Sequence, residues 1–135
     1  MVILLVDDHM SFCEGLVAAI AARRPDIKIE FISDAELVPT ELLNRNQFDL
    51  LILDIMMPGL GGLELVKHLN TIGNFTPVIA MSSVDDEEII QKLFALGVLG
   101  FIPKYYSVEA ILDAIYTCYR GEIHVPEKFQ HSVRL

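Results

Sequence analysis

Three aspartates stand at the ends of apolar runs in the first half of the chain. Asp7 and Asp8 close the run VILLV, and Asp54 closes the run LLIL. Continuous apolar runs of this length are typical of strands that helices cover on both faces of a parallel sheet. Because the carboxyl ends of parallel strands meet at one edge, the three carboxylates are predicted to lie together there and to form the functional site.

The elements that would position these acids alternate along the chain. Short aliphatic runs predict strands over residues 2–6, 28–32, 49–53, 78–81 and 100–102, and stretches of helical period separate them. Pro39 is predicted to begin the second helix, because a proline inside a helix costs about 3 kcal/mol. Regular alternation implies right-handed crossovers and parallel pairing. The predicted fold class is α/β, a flavodoxin-like (βα)5 doubly wound parallel sheet with strand order 2-1-3-4-5.

That strand order brings further polar side chains to the same edge. Ser82 and Ser83 follow the fourth strand, and Lys104 follows the fifth strand after the sequence GFIP. Strands 1 and 3 are neighbours in this order and strand 4 comes next. Acids, hydroxyl groups and an ammonium group are therefore expected to converge on one crevice.

The composition limits the class of protein. With 135 residues, of which 53% are hydrophobic, the chain can bury the core of one folded domain. Its net charge of -9 would repel a phosphate backbone, so direct binding of nucleic acid is not expected. Cys13 and Cys118 lack CxxC spacing, no signal segment opens the sequence, and no apolar stretch is long enough to span a membrane. These features predict a cytoplasmic protein with free thiols.

Four motifs carry a resemblance to a known family. The segments ILLVDDH, LLILDIMMPGLGGLEL, PVIAMSS and LGFIPK occur in an order and at a spacing similar to the receiver domain of two-component response regulators. The resemblance covers residues 1–120, which we interpret as a receiver domain, and leaves 121–135 as a linker. The tail sequence GEIHVPEKF resembles the segment that leads, in the LuxR/NarL-like class, to a helix-turn-helix DNA-binding domain, which this chain does not contain.

The resemblance implies a Mg²⁺ site. It assigns Asp8 and Asp54 as direct ligands, Asp7 as a ligand through water, and the backbone carbonyl of Met56 as a further oxygen. Two carboxylates about 5 Å apart repel by about 3 kcal/mol at an effective dielectric of about 20, and a divalent cation removes that repulsion. Mg²⁺ suits such a site because it accepts carboxylates, keeps several waters and bridges to phosphate oxygens.

The resemblance also implies phosphoryl transfer. Asp54 would attack the phosphorus of a phosphohistidine on a sensor histidine kinase and form an acyl phosphate. Lys104 would pair with the phosphoryl oxygens, Ser82 would donate a hydrogen bond to one of them, and Phe101 would be the aromatic residue whose rotamer follows that hydroxyl. The chain would catalyse its own phosphorylation and slow dephosphorylation without being a metabolic enzyme of multiple turnover.

A response to phosphorylation is implied at the face formed by the fourth helix, the fifth strand and the fifth helix. We expect this face to support a phosphorylation-dependent homodimer or to hold the output domain. DNA would be reached only through that domain, and the pathway would regulate transcription. Met56 and Val84, two residues after Asp54 and Ser82, cannot orient a hydrolytic water, so slow loss of the phosphoryl group is predicted.

Several of these residues could instead have structural roles that need no phosphoryl chemistry. Asp8 could cap the helix that follows it, and Asp54 could form the turn before MMPGLGG. Either Ser82 or Ser83 could open a capping box, since S-x-x-D occurs in SSVDDEE. Lys104 could be an ordinary solvated lysine.

Phe101 and the histidines also admit simpler roles. Phe101 could be a plain core residue, and the histidines lack ligand spacing and are expected at the surface: His9, His68, His124 and His131. For the function as a whole, a docking module that works without phosphorylation remains a second hypothesis. A Mg²⁺-dependent phosphatase is a third, although such enzymes carry an acid where this chain has Met56.

Overall fold

One parallel sheet of five strands forms the centre of the molecule. The computed structural model describes residues 1–40, 48–56, 61–84, 86–131 and 133. The strand order is β2-β1-β3-β4-β5, which confirms the predicted flavodoxin-like fold. The strands are β1 (Val2–Val6), β2 (Lys28–Ile32), β3 (Leu50–Asp54), β4 (Val78–Ser82) and β5 (Gly100–Pro103).

The last three strands each run one residue further than predicted. They end at Asp54, Ser82 and Pro103, whereas the apolar runs end one residue earlier. The strands extend because hydrogen bonds between strands join backbone groups, so a polar side chain does not end the pairing. Two of the predicted site residues are therefore held by the sheet itself rather than by a loop.

Helices cover both faces of the sheet. Their bounds are α1 (Met10–Arg23), α2 (Gly62–Thr71), α3 (Glu87–Ala95) and α4 (Val108–Tyr119). Residues 38–40 are also helical, so Pro39 lies in a first helical turn, and the rest of that predicted helix falls outside the described residues. The fourth and fifth helices of the prediction are therefore α3 and α4. In the part of the chain that the structure describes, no helix is long and apolar enough to cross a membrane.

Alternate side chains of each strand belong to two apolar layers. Ile3 and Leu5 of β1 pack in the layer with α1 and α4, whereas Leu4 and Val6 pack in the layer with α2 and α3. Each inner strand is buried along nearly its whole length, as expected for a doubly covered sheet. This double cover leaves the carboxyl ends of the strands as the open edge.

The residues after α4 pack back on β5. We call residues 121–131 and 133 the tail. His124 pairs with Gly100 in a parallel bridge, its N–H donates to the carbonyl of Leu99 at 2.9 Å, and its carbonyl accepts from the N–H of Phe101 at 3.1 Å. The ring of Phe129 meets that of Phe101 edge-on with centroids 6.2 Å apart. The described part of the segment assigned to a linker is thus ordered against the sheet.

Candidate functional site

The register of β1 against β3 places two aspartates side by side. Val6 lies opposite Leu53, so Asp7 and Asp54 come next on adjacent strands. Both carboxylates are buried, with Asp7 0% and Asp54 1% exposed. Gly62 allows the start of α2 to approach this edge, because a Cβ there would lie 2.6 Å from the Cα of Ile55. The fold therefore places two buried carboxylates next to each other at the ends of adjacent strands.

Lys104 joins both acids. Its Nζ lies 2.7 Å from Oδ2 of Asp7 and 3.0 Å from Oδ2 of Asp54, and its side chain is 12% exposed. Its backbone N–H donates to the carbonyl of Ser82 at 2.8 Å, which ties the loop after β5 to the end of β4. The ammonium also stands 4.7 Å from the centroid of the Phe12 ring. The interpretation of Lys104 as an ordinary solvated lysine is wrong.

Asp8 and His9 complete the group, which we call the acid cluster: Asp7, Asp8, His9, Asp54 and Lys104. Nδ1 of His9 lies 3.0 Å from Oδ1 of Asp7, 3.3 Å from Oδ1 of Asp8 and 3.6 Å from Oδ2 of Asp54. The Oδ1 atom of Asp8 is buried and accepts no hydrogen bond from the described residues.

Burial and neighbouring groups shift the pKa values of the two buried acids in opposite directions. Burial would raise the pKa of Asp7, but hydrogen bonds from Lys104 and His9 lower it below the ordinary value. Burial raises the pKa of Asp54, the charge of Asp7 raises it further, and the hydrogen bonds from Met56 and Lys104 offset this only in part. Burial would lower the pKa of Lys104, yet its two carboxylate partners raise it. Asp7 and Lys104 are therefore the firmly charged pair.

The donor set fits a hard divalent cation. Three carboxylates carry three negative charges and Lys104 supplies one positive charge, so the cluster has an excess of negative charge. The buried Oδ1 atom of Asp8 has no hydrogen-bond donor among the described residues and is available to an ion. Oxygen atoms of this kind are the ligands that Mg²⁺ takes in proteins. Asp7, Asp8, His9 and Asp54 bring potential ligand atoms within 4.8 Å of one another.

The remaining predicted residues lie on β4, on β5 and in the turn after β3. The N–H of Met56 donates to Oδ1 of Asp54 at 2.9 Å, so Asp54 forms a turn and also belongs to the acid cluster. Oγ of Ser82 is buried and accepts from the N–H of Val84 at 3.0 Å. Phe101 is fully buried in the layer with α2 and α3, which fits both a switch residue and a plain core residue.

Two interpretations as helix caps are wrong. The residue that caps α1 is His9, without a side-chain hydrogen bond, so Asp8 does not fill that role. The residue that caps α3 is Asp86, whose carboxylate accepts from the N–H groups of Glu88 and Ile89. Neither Ser82 nor Ser83 therefore opens that helix. Their exclusion leaves the hydroxyl of Ser82 at the strand end without a helix-capping role.

His9 is the site residue that the sequence reasoning missed. Its side chain is 62% exposed, as expected for a surface residue, but its Nδ1 faces the acids. Ligand spacing along the chain could not reveal this, because Asp54 comes from another strand. The signal that could have found it is its position directly after two strand-end acids. His68 and His131 are exposed as expected, whereas His124 is half-buried beside Tyr106.

The sequence model of the response regulator receiver domain family matches residues 3–116, so this chain belongs to that family. The transcriptional regulatory protein DegU of Brevibacillus brevis is 26% identical over 131 residues, which are 97% of this chain and 55% of that protein. The response regulator protein TodT of Pseudomonas putida is 30% identical over 114 residues, 84% of this chain and 49% of that protein. The chain thus spans about half the length of these relatives.

Solved structures agree with the family. A LuxR-family two-component response regulator from Aurantimonas sp. SI85-9A1 has a TM-score of 0.87 at 22% identity, over 98% of this chain and 94% of that one, which shows the shared fold. The signal receiver domain of the response regulator NarL from Mycobacterium tuberculosis has a TM-score of 0.77 at 26% identity, over 90% of this chain and 97% of that one. The predicted resemblance to the receiver part of the LuxR/NarL-like class is confirmed.

Proposed function

We propose that this chain accepts a phosphoryl group on Asp54 from a sensor histidine kinase in a Mg²⁺-dependent reaction. The observation that carries the proposal is the placement of Asp54 at a strand end. There it contacts the ammonium of Lys104 and lies among acids with excess negative charge. Membership of the receiver family supports the same function.

The transfer exchanges one bond to phosphorus for another. A carboxylate oxygen of Asp54 attacks phosphorus in line, and a new P–O bond forms as the P–N bond of the donor phosphohistidine breaks. The departing imidazole nitrogen keeps the electron pair of that bond and takes up a proton. The product is an acyl phosphate on Asp54.

The other residues position and neutralise the reacting groups. Asp8 and Asp54 would hold Mg²⁺ directly, Asp7 through water, and the carbonyl of Met56 would complete the protein oxygens. Bound Mg²⁺ would offset the charge of the phosphoryl oxygens. Lys104 already stands 3.0 Å from Oδ2 of Asp54 and would turn to a phosphoryl oxygen as the group arrives.

Ser82 and Phe101 would report the reaction. The hydroxyl of Ser82 accepts from the N–H of Val84, which leaves its own proton available to a phosphoryl oxygen. Phe101 lies on β5, one strand away, in register with Ala80. A shift of Ser82 toward the phosphoryl group would open space that the Phe101 ring can follow.

Mass spectrometry tests the proposal. Incubation with a small phosphodonor and Mg²⁺ should add one phosphoryl group, a mass gain of about 80 Da. Asp54→Asn should abolish the gain, and Asp113→Asn, which changes an exposed aspartate on α4, should retain it. A parent protein that gains no mass would favour a docking module that needs no phosphorylation. Multiple turnover on small phosphate esters would favour a phosphatase instead.

The lifetime of the acyl phosphate offers a second test. Met56 and Val84 are about half exposed, at 50% and 52%, and both side chains are apolar. Because neither of these two side chains can form a hydrogen bond, they cannot orient a hydrolytic water, so loss of phosphate should be slow. The double variant Met56→Asn, Val84→Glu should shorten the half-life by about tenfold or more, as general acid–base groups do. Equal half-lives would contradict this explanation.

A matched control introduces the same residue types elsewhere. Ile72 and Phe75 are exposed near the amino end of β4, away from the acid cluster. The double variant Ile72→Asn, Phe75→Glu should leave the half-life of the acyl phosphate unchanged. A shortened half-life in this control would show that the effect is not specific to the two positions beside the site.

The output would pass through the face formed by α3, β5 and α4. This face borders Ser82, Phe101 and Lys104, so phosphorylation would shift its population between two arrangements. We propose that it supports homodimerisation and controls a helix-turn-helix domain that lies outside this chain and regulates transcription. The name of the relative DegU, a transcriptional regulatory protein, supports this output. Such a pathway would operate in the cytoplasm.

A further inference from the structure

His9 brings a nitrogen donor into an otherwise oxygen-based site. Its Nδ1 lies 3.0, 3.3 and 3.6 Å from carboxylate oxygens of Asp7, Asp8 and Asp54. Two donors that sit at right angles about 2.1 Å from one ion are about 3.0 Å apart. Nδ1 lies slightly farther than this from the oxygens of Asp8 and Asp54, and a small movement of the exposed His9 side chain would bring the three atoms onto one ion.

The backbone fixes the base of this side chain. The N–H of His9 donates to Oδ1 of Asp7 at 2.8 Å, so the residue turns back over the end of β1 before α1 begins. A cation already stands next to the nitrogen, since Nζ of Lys104 is 3.1 Å from Nδ1. A metal ion held by Asp8 and Asp54 would also meet a lone pair on Nδ1 when the ring proton of His9 is on Nε2.

We propose that Nδ1 of His9 is a metal ligand and that it shifts the preference of this site toward first-row transition ions such as Co²⁺ and Zn²⁺. Imidazole is a good ligand for transition ions, whereas Mg²⁺ selects oxygen and gains little from nitrogen. His9 would thus decide which ion the site retains, while Asp8 and Asp54 suffice for Mg²⁺. The inference rests on the proposed function, because it concerns the same ion site.

Calorimetric titration of the whole chain with Co²⁺ and with Mg²⁺ tests the proposal. His9→Phe keeps a ring of similar size and removes the nitrogen. It should lower Co²⁺ affinity on the order of tenfold or more, and Mg²⁺ affinity by less than about threefold. The visible absorption of bound Co²⁺ should also change, because it depends on the donor atoms. His68→Phe, at an exposed position on α2, should change neither affinity.

The outcomes separate this inference from the function on which it rests. A parent protein that binds Mg²⁺, with the same ratio of Co²⁺ to Mg²⁺ affinity in His9→Phe, would overturn the role of His9 and leave the phosphoacceptor function intact. A parent protein that binds neither ion at millimolar concentration would overturn the proposed Mg²⁺ site and this inference together.

Discussion

The acid cluster and the tail lie on the same sheet but are stabilised by opposite means. At the acid cluster, Asp7 and Asp54 are buried beside each other and are offset by the ammonium of Lys104. At the tail, buried apolar side chains and two backbone hydrogen bonds close the edge of β5. Apolar burial stabilises directly, whereas desolvation cancels much of the attraction within buried ion pairs. Apolar packing therefore stabilises the sheet at the tail, whereas the stability of the acid cluster depends on the charges of its side chains.

Strand β5 joins the two regions. Phe101 contacts Phe129 of the tail, and Lys104, three residues later, contacts the acids. Under the proposed function, Lys104 turns to the phosphoryl group, so the same short segment that responds to phosphorylation also holds the tail. A change of charge at Asp54 would thus move a segment whose other end is held by the apolar contact between Phe101 and Phe129.

Lys104→Met should produce the largest change in stability. It removes the positive charge and leaves two buried carboxylates uncompensated, which costs about 3–5 kcal/mol. Chemical denaturation at neutral pH without divalent ions should show this loss in the free energy of unfolding. Under the proposed function, millimolar Mg²⁺ should restore part of it, because the ion would supply positive charge beside the same carboxylates.

A lysine at the surface gives the control for this variant. Lys92 pairs with Glu88 on the exposed side of α3, and Lys92→Met should change the free energy of unfolding by less than about 0.5 kcal/mol. Equal losses of unfolding free energy in the two variants would mean that Lys104 does not offset the charge of the buried carboxylates.

Phe129→Ala should have the next largest effect. Phe129 is 7% exposed and packs on Phe101, and its loss should cost about 2–3 kcal/mol, somewhat below the cost for a phenylalanine at the centre of a core. Hydrogen exchange at the N–H of Phe101, which donates to His124, should accelerate as the tail loosens. Phe75→Ala, at a residue 78% exposed, is the matched control and should leave both readouts unchanged. An unchanged free energy in Phe129→Ala would mean that the tail adds no stability.

The fold could be predicted because its signals are long and consistent. Five aliphatic runs with helical stretches between them leave few topologies, since parallel crossovers are right-handed. Asp7, Asp8 and Asp54 could also be predicted to lie together, because the carboxyl ends of parallel strands lie at one edge of the sheet. The sequence does not reveal which of these polar side chains contact one another. The contacts of Lys104 with both Asp7 and Asp54 depend on the loop after β5.

The tail shows where sequence reasoning reached its limit. Beyond α4 the pattern predicts a linker, since the helical period fades and Gly121 and Pro126 follow. The packing of this segment relies on one bridge at His124 and on two buried apolar residues four apart, Phe129 and Val133. A signal this short is not separable from chance in one sequence. Whether the segment also connects to a following domain stays a prediction.

The smallest effect, and the sharpest test of the electrostatics, compares two isosteric variants. The pKa of Asp54 is raised by burial, so its ionised form destabilises the folded state at pH 7, and Asp54→Asn should stabilise the metal-free protein on the order of 1 kcal/mol. Burial would raise the pKa of Asp7, but Lys104 and His9 lower it, so its ionised form stabilises the fold and Asp7→Asn should destabilise it.

The pH dependence of these two variants follows from the signs of the shifts. A raised folded pKa means that the cost at Asp54 begins to fall when the pH drops to that pKa and is gone below the ordinary value of 3.8, so the advantage of Asp54→Asn should shrink on acidification from pH 7. A lowered folded pKa means that the contribution of Asp7 persists above the ordinary aspartate value of 3.8 and is lost only below it. Free energies of unfolding measured across this range check both statements. If both variants changed stability in the same direction at pH 7, the assignment of opposite shifts to the two acids would fail.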